Sequence, residues 1–291
     1  MSARLDQYGV IGHPVAHSWS PFIHGMFAKQ TGQELTYRLY DVAPEQFRER
    51  VLDFFAGGGR GLNVTLPHKP AAAALCNELS ARAERAGAVN TLSFDGRVIS
   101  GDNTDGAGLA RDLISNLGLT IARRRVLIVG AGGAVRGVIA PLLELDPVEL
   151  VIAGRSPERA QALAAEFTDL GPVRGCALPE LSLGAFDLLI NATSASLSGE
   201  VPEIPHEAVN ATTVCYDMAY AKGETAFVRW ARNQGCGRAV QGWGMLVEQA
   251  AESFQIWRGI RPETGAVLAL LSQPHNPAVK KPSPLAAPTA S

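Results

Sequence analysis

Four consecutive apolar residues, Val126 to Val129, stop at Gly130-Ala131-Gly132-Gly133, after which Val138, Ile139 and Leu142 recur at helical spacing. An unbroken apolar run of this length is the pattern of a strand buried on both faces in a parallel sheet, so the stretch predicts strand, tight turn and helix. The same rhythm follows along the chain. Leu150–Ala153, Phe186–Ile190 and Val214–Tyr216 predict further strands, and Pro157–Phe167 a helix. Upstream, Tyr8–Ile11, Thr36–Tyr40 and a strand opening at Gly61 alternate with two predicted helices. The first has Ser20 as its N-cap and Pro21 as its first residue, and the second spans Pro44–Phe55.

Asp95-Gly96 between Asn90–Phe94 and Arg97–Ser100 predicts a two-residue hairpin, which makes the first sheet mixed. Gly101-Asp102-Asn103-Thr104-Asp105-Gly106 then leads into a helix with Leu109, Leu113 and Leu117 on one face, for which Asp105 is a natural cap. A last helix places Leu246, Ala250, Phe254 and Trp257 on one face. From about Pro274 the composition turns to Pro, Ala, Ser and Thr and predicts disorder.

Composition narrows the class of partner. A chain of 291 residues, 46% hydrophobic, is long enough for two domains with real cores. Its net charge of -2 gives no reason to expect nucleic acid or an anionic membrane, so a small molecule is the expected ligand. No apolar run is long enough for a membrane span, and the N-terminal stretch does not resemble a signal peptide. A cytoplasmic protein, monomer or homodimer, is expected. The four cysteines are scattered without a C-x-x-C pair, which predicts free thiols and no metal site.

Several loops carry candidate chemistry. Ser18 and Ser20 lie beside a predicted helix N-terminus, where hydroxyls and the helix dipole favour a carboxylate, although Ser20 as a plain cap is the commoner reading. Lys69 follows the strand Gly-Leu-Asn-Val-Thr, at the edge where open α/β sheets bind ligands. The run Asn191-Ala192-Thr193-Ser194 ends another strand at such an edge. The turn Gly130, Ala131, Gly132, Gly133, Ala134 suits a pyrophosphate, yet Val135 occupies the third glycine position of the dinucleotide fingerprint, and an ordinary βα turn fits as well. The next strand ends Ala153-Gly154-Arg155 without the acid that would accept from a ribose 2′-hydroxyl. Arg155, Ser156 and Arg159 instead offer donors to a 2′-phosphate.

Taken in order, GHPVAHSWSP from Gly12, NVTLPHK from Asn63, AGAVNT from Ala86, GDNTDG from Gly101, GAGGA from Gly130, NATS from Asn191, YDMAY from Tyr216 and GMLVEQA from Gly244 resemble the shikimate dehydrogenase family. The resemblance implies an α/β fold: a discontinuous substrate domain with a mixed sheet, residues 1–105 and 243–272, and a Rossmann-like NADP domain, residues 106–242, facing it across a cleft. It implies NADP-linked interconversion of shikimate and 3-dehydroshikimate, with Lys69 as acid/base and Asp105 orienting it. Ser18, Ser20, Thr65, Lys69, Asn90, Asp105, Tyr220 and Gln249 would bind the ring acid. Gly130 to Ala134, Arg155, Ser156, Arg159, Thr193, Met218 and Gly242 would bind NADP. Three places depart from the family pattern: Gly154 stands for Asn, His68 for a frequent Phe, and Gln241-Gly242-Trp243-Gly244 for Asp-Gly-Leu-Gly. These departures would alter the cleft lining and leave open a paralogue acting on quinate or a related ring acid, or a ligand sensor without turnover.

Overall fold

The computed structural model describes residues 5–181, 184–193 and 195–272. Ser194 and the tail expected to be disordered lie outside them. The chain forms two compact units, the first from Met1–Thr104 with Gln249–Ser291 and the second from Asp105–Glu248.

The first unit holds a mixed sheet in the order β2-β1-β3-β5-β6-β4. Its strands are β1 (Asp6–Gly12), β2 (Leu35–Asp41), β3 (Gly59–Val64), β4 (Glu78–Leu79), β5 (Thr91–Phe94) and β6 (Ile99–Asp102). Strands β1, β2 and β3 run parallel, whereas β5 is antiparallel to both β3 and β6. The expected two-residue hairpin is instead a four-residue loop, because Phe94 pairs with Ile99. Asp95 accounts for the difference: its Oδ1 accepts from the amides of Arg97 and Val98, each at 2.8 Å, closing a side-chain turn in place of the tight backbone one.

One face of this sheet is aliphatic and carries Ile11, Leu62, Val64 and Leu92 with Phe47, Val51 and Phe55 from the helix Phe47–Ala56. Aromatic side chains pack elsewhere in the unit. His24 and Phe27 of α1 (Ser20–Thr31) meet Tyr37, Phe254 and Trp257. His24 stacks on Tyr37 with centroids 4.3 Å apart and planes 9° from parallel. Gly61 exists for this packing, since a Cβ there would lie 2.4 Å from the Trp257 indole nitrogen.

The second unit is a six-stranded, fully parallel sheet in the order β12-β11-β10-β7-β8-β9. Its strands are β7 (Arg125–Val129), β8 (Glu149–Gly154), β9 (Val173–Ala177), β10 (Leu188–Asn191), β11 (Val214–Asp217) and β12 (Arg238–Gln241). Alternate side chains feed two separate cores, as a sheet covered on both faces requires. Val126, Ile128, Ile152 and Ile190 join one cluster, and Leu127, Val129, Val151 and Leu189 the other. The order reverses between β7 and β10, which makes the ends of these two strands the topological switch point. The edge strands β9 and β12 were not predicted. Val-Arg-Gly-Cys-Ala and Arg-Ala-Val-Gln carry neither an apolar run nor an alternation that marks a strand.

Helix α5 (Asp105–Arg111) starts at Asp105, which is therefore its first helical residue, not the flanking cap the sequence suggests. It lies against the helix Gly133–Leu143, where Pro141 removes the amide that would have bonded to the Gly137 carbonyl. Gly106 sits over that carbonyl: a Cβ would approach the Gly137 oxygen to 2.2 Å. The four cysteines are free thiols. No helix among the described residues is long and apolar enough to cross a membrane, and no described cluster of His, Cys, Asp and Glu suits a metal.

Two stability outcomes follow from this packing. Gly106→Ala places a methyl against backbone that cannot rotate away, so it is expected to cost about 1–3 kcal/mol, read as a lowered Tm. An unchanged Tm would mean that the two helices are not in close contact. Burial lowers the His24 pKa to about 3, and its Nε2 has no hydrogen-bond partner. The unfolded chain therefore takes up a proton here before the folded one does. The neutral-ring contribution is complete above about pH 6.5 and is lost as pH falls toward 3, at roughly 1.4 kcal/mol per pH unit at most. His24→Phe should flatten the acid side of the stability profile, and parallel profiles for the two proteins in urea unfolding would refute this.

Candidate functional site

Candidate residues of the first unit cluster at the carboxyl ends of its parallel strands. Ser18 and Ser20 are buried at the start of α1, with Oγ atoms 3.1 Å apart. The Ser20 amide donates to Ser18 Oγ at 3.2 Å, and the residue before the helix is Trp19, which makes no side-chain cap. Ser18, not the expected Ser20, therefore takes up a free amide at the helix start. The Ser20 hydroxyl remains beside the Tyr37 phenol, whose pKa burial holds well above its ordinary value.

From Tyr37 a buried polar chain crosses the unit. The Tyr37 hydroxyl donates to Asn63 Oδ1 at 2.7 Å, and Asn63 Nδ2 donates to Ser253 Oγ at 3.0 Å and to the Asn90 carbonyl at 3.2 Å. Asn90 Nδ2 reaches Thr104 Oγ1 at 2.9 Å and Gln249 Oε1 at 3.4 Å, while Asn90 Oδ1 accepts from the Thr104 amide at 2.9 Å. Asn90 and Gln249, both singled out in the sequence, are thus brought together. Asn63, Tyr37, Thr104 and Ser253 complete the network and were missed, although a polar Asn inside an otherwise apolar strand was a visible signal.

Thr65 follows β3, with its amide donating to the Ile11 carbonyl at 2.9 Å and its methyl closely packed over Gly12. Lys69 is the first residue of the helix Lys69–Leu75. The neighbouring His68 does not line a site: its Nε2 meets the Val42 carbonyl at 2.8 Å and its ring stacks on Phe47 at 4.6 Å. It fills a core position, where burial lowers its pKa, and the expected change to the cleft lining does not arise from it.

In the second unit, Asp105 is buried at the start of α5. Tyr220 packs on Trp243, with ring centroids 4.6 Å apart, and burial pushes its pKa up to about 12, so its hydroxyl stays a donor. Gly242 is fixed by packing, because a Cβ would lie 2.5 Å from the Met218 carbonyl oxygen.

The turn after β7 contains two kinds of glycine. Gly130 has φ +121° and lies 3.3 Å, at its Cβ position, from the Ala192 backbone, so its identity is dictated by the fold. Gly132 and Gly133 have nothing within 4 Å of a Cβ among the described residues and no unusual φ, so no described contact requires them to be glycine. Ala131 and Ala134 complete the turn into the helix Gly133–Leu143. At the end of β8, Ser156 caps the helix Pro157–Ala165, its Oγ accepting from the Arg159 amide at 3.4 Å and donating to Glu158 at 2.8 Å. The guanidinium groups of Arg155 and Arg159 make no hydrogen bond or ion pair among the described residues. Gly154 has only ordinary contacts around a Cβ position.

Asn191, at the end of β10 as the sequence suggested, and the buried Asp217, which was missed, tie β10 to its neighbour β11. Asn191 Nδ2 donates to Asp217 Oδ1 at 3.0 Å, Asn191 Oδ1 accepts from the Thr193 hydroxyl at 2.8 Å, and the Asn191 carbonyl accepts from the Met218 amide at 2.9 Å. Thr193 and Met218 are therefore set by the same pair.

Comparison with known proteins identifies the family. Residues 10–92 match the model of the shikimate dehydrogenase substrate binding domain, residues 110–214 that of shikimate / quinate 5-dehydrogenase, and residues 242–271 that of the shikimate 5′-dehydrogenase C-terminal domain. The shikimate dehydrogenase (NADP(+)) of Methylococcus capsulatus is 53% identical over 268 residues, 91% of this chain and 96% of that protein. That of Aeromonas salmonicida is 53% identical over 92% of this chain and 98% of its own length. Among solved structures, the Thermus thermophilus shikimate 5-dehydrogenase in complex with NADP(H) and shikimate superposes with a TM-score of 0.83 at 33% identity, covering 93% of this chain and all 100% of that one. An Ael1 enzyme from Pseudomonas putida reaches a TM-score of 0.87 at 45% identity, covering 92% and 98%. With three family models spanning most of its length and relatives identical at more than half of their positions, the chain belongs to the shikimate dehydrogenase family.

Proposed function

We propose that this chain is an NADP-dependent shikimate dehydrogenase, catalysing the reversible reduction of 3-dehydroshikimate to shikimate on the route to chorismate and the aromatic amino acids. The observation that carries the cofactor half is the space that no described residue fills over Gly132 and Gly133 at the switch point of a parallel sheet, together with Arg155 just after β8 and Arg159 in the following helix, whose guanidinium groups have no partner among the described residues. Backbone amides at a helix start and a charge-assisted fork are the donors that a pyrophosphate and a 2′-phosphate require. An acid at the end of β8 would have favoured a free ribose hydroxyl, and none is there. The residues fit NADP, and Gly130 to Ala134, Arg155, Ser156, Arg159, Thr193, Met218 and Gly242 would hold it.

Bound NADPH supplies the hydride that reduces the ring carbonyl. Ser18 and Ser20 hold the ring carboxylate with the dipole of α1 behind them, and Tyr220 adds a neutral donor. Thr65, Asn90 and Gln249 bind ring hydroxyls. The Asn90 amide, fixed by Thr104, can turn in one orientation only, which selects donor from acceptor at the ring. Protonated Lys69 stabilises the developing alkoxide and gives it a proton, and in the oxidation direction neutral Lys69 removes that proton. Asp105 orients the Lys69 ammonium. The proposed reading is of a cytoplasmic biosynthetic enzyme acting as monomer or homodimer.

The purified protein is expected to form NADPH from NADP and shikimate, followed at the nicotinamide absorbance, with quinate run in parallel. Lys69→Ala should lower turnover about 100-fold or more with NADP affinity nearly intact. No turnover with shikimate, or near-normal turnover in the variant, would overturn the assignment or the role of Lys69 respectively. For the cofactor, Arg155→Ala should raise the KM for NADP about tenfold and leave that for NAD almost unchanged. Gly132→Ala should raise the KM for NADP without moving the Tm. Equal use of NAD and NADP by the unaltered enzyme would contradict the 2′-phosphate site.

A further inference from the structure

A buried carboxylate outside the reaction chemistry stands where the second unit meets the start of its last helix. Within that unit, α5 widens into a π-helical turn over Asp112–Asn116, and this turn directs Asp112 inward, with 2% of its surface exposed. A π-turn of this kind is uncommon and is often kept where a side chain must be aimed. Asp112 Oδ2 accepts from the Tyr216 hydroxyl at 2.7 Å, and Oδ1 accepts from Asn116 Nδ2 at 2.9 Å. Asn116 Nδ2 also reaches Glu248 Oε1 at 3.2 Å. Glu248 is itself buried and faces Arg111 Nε at 3.4 Å.

The other side of the Asp112 carboxylate faces the first turn of the helix Trp243–Arg258, denoted α9 after the helices already described and Ala81–Ala86 and Ala226–Asn233. A Cβ on Gly244 would lie 1.8 Å from Asp112 Oδ1, so only glycine lets the carboxylate come this close. The Met245 amide donates to the Tyr216 hydroxyl at 3.3 Å and also to the Asp112 carboxylate. Met245 is the third residue of α9, one of the positions whose amides have no partner inside a helix. The residue before the helix is Gly242, which has no side chain to cap it. Asp112 and Tyr216 thus perform from two distant parts of the sequence the service that a local Ser or Asp usually performs.

We propose that Asp112, acting with Tyr216, is a positioning residue for ring-acid binding: it caps α9 from outside and so holds Trp243 against Tyr220 and sets the helix that continues to Gln249. Trp243 is the first residue of the capped turn, and its ring is the partner of the Tyr220 ring. Gln249 lies four residues beyond Met245 on the same helix, about one turn on. A loosened first turn displaces the aromatic support of one substrate contact and the helical origin of the other. Neither Gly132 nor Arg155 belongs to this network. The inference rests on the reading that Tyr220 and Gln249 touch the ring acid.

The test compares Tyr216→Phe, Asp112→Asn and Asp112→Ala, with Tyr220→Phe and Gln249→Ala as references, in steady-state kinetics with shikimate and NADP. Tyr216→Phe keeps the ring volume and removes only the bridging hydroxyl, so it answers the question even where Asp112→Ala fails to fold. Tyr216→Phe and Asp112→Ala are expected to raise the KM for shikimate by about tenfold, and by clearly more than the KM for NADP, which the network borders only at Gly242 and Met218. Asp112→Asn keeps one acceptor and should restore part of the loss. The Asp112→Asn, Tyr216→Phe double variant should be little worse than Tyr216→Phe, because both changes break one network. A fall in Tm with both Michaelis constants unchanged would make the cap merely structural and overturn the proposal. If Tyr220→Phe and Gln249→Ala also leave the KM for shikimate unchanged, the substrate reading fails. If those two raise it and Tyr216→Phe does not, the positioning role alone fails.

Discussion

Two asparagines buried in an apolar sheet impose more on this fold than any aliphatic contact does. An amide removed from water must find partners for its donors and acceptor, at a cost of about 1–3 kcal/mol for each group left unmet. Asn63 and Asn90 meet the condition with groups from Tyr37, Thr91, Thr104, Ser253 and Gln249. Hydrophobic packing alone would let the helix Trp243–Arg258 slide or rotate over the sheet, but the hydroxyl of Ser253 and the indole nitrogen of Trp257, bonded to the Leu92 carbonyl at 3.0 Å, fix its register. The same bonds leave the Asn90 and Gln249 side chains in defined orientations. Structural polarity and ligand polarity are one network here, which is why candidate substrate residues arrive already oriented.

The second unit reaches precision by another route. Its strands are apolar on both faces, so the sheet has no solvent side and its register is set by two cores at once. Polar groups are confined to the strand ends, where Asn191 and Asp217 lock β10 to β11 beside the glycine turn. Glycine does two jobs along that edge. At Gly130 the positive φ, and at Gly242 the neighbouring backbone, exclude a side chain, whereas at Gly132 and Gly133 no described residue comes within 4 Å of a Cβ. The contrast separates residues that the fold needs from residues that a ligand would need.

Much of this was readable from the chain. The unbroken run Val126–Val129 and the glycines after it correctly predict the central strand and its turn, because a doubly covered strand has no polar position to confuse the pattern. The family motifs likewise lie on the elements they suggest. What escaped has physical causes. The edge strands Val173–Ala177 and Arg238–Gln241 are held by one neighbour each and carry charged and small residues, so no periodicity announces them. The hairpin loop lengthened because an aspartate side chain outcompeted the tight turn at Asp95. Ser20 was mistaken for a cap because the pattern Ser-Pro does not reveal that the helix already begins at Ser20, whose own amide donates to Ser18. The partners of Asn63 could not be read at all, since Ser253 stands 190 positions away.

That separation bears on the order in which the molecule can be built. The second unit, Asp105–Glu248, is continuous in sequence and contains every strand of its own sheet. The first is interrupted by it: the slot over Gly61 and the donor of Asn63 wait for Trp257 and Ser253, which emerge from the ribosome after the whole insertion has been made. During synthesis the inserted unit can therefore close its cores while the unit that began first still exposes an unfilled aromatic cavity and unsatisfied buried amides. Completion of the earlier half is a late, long-range event in chain growth, and the last helix acts as its closing wedge.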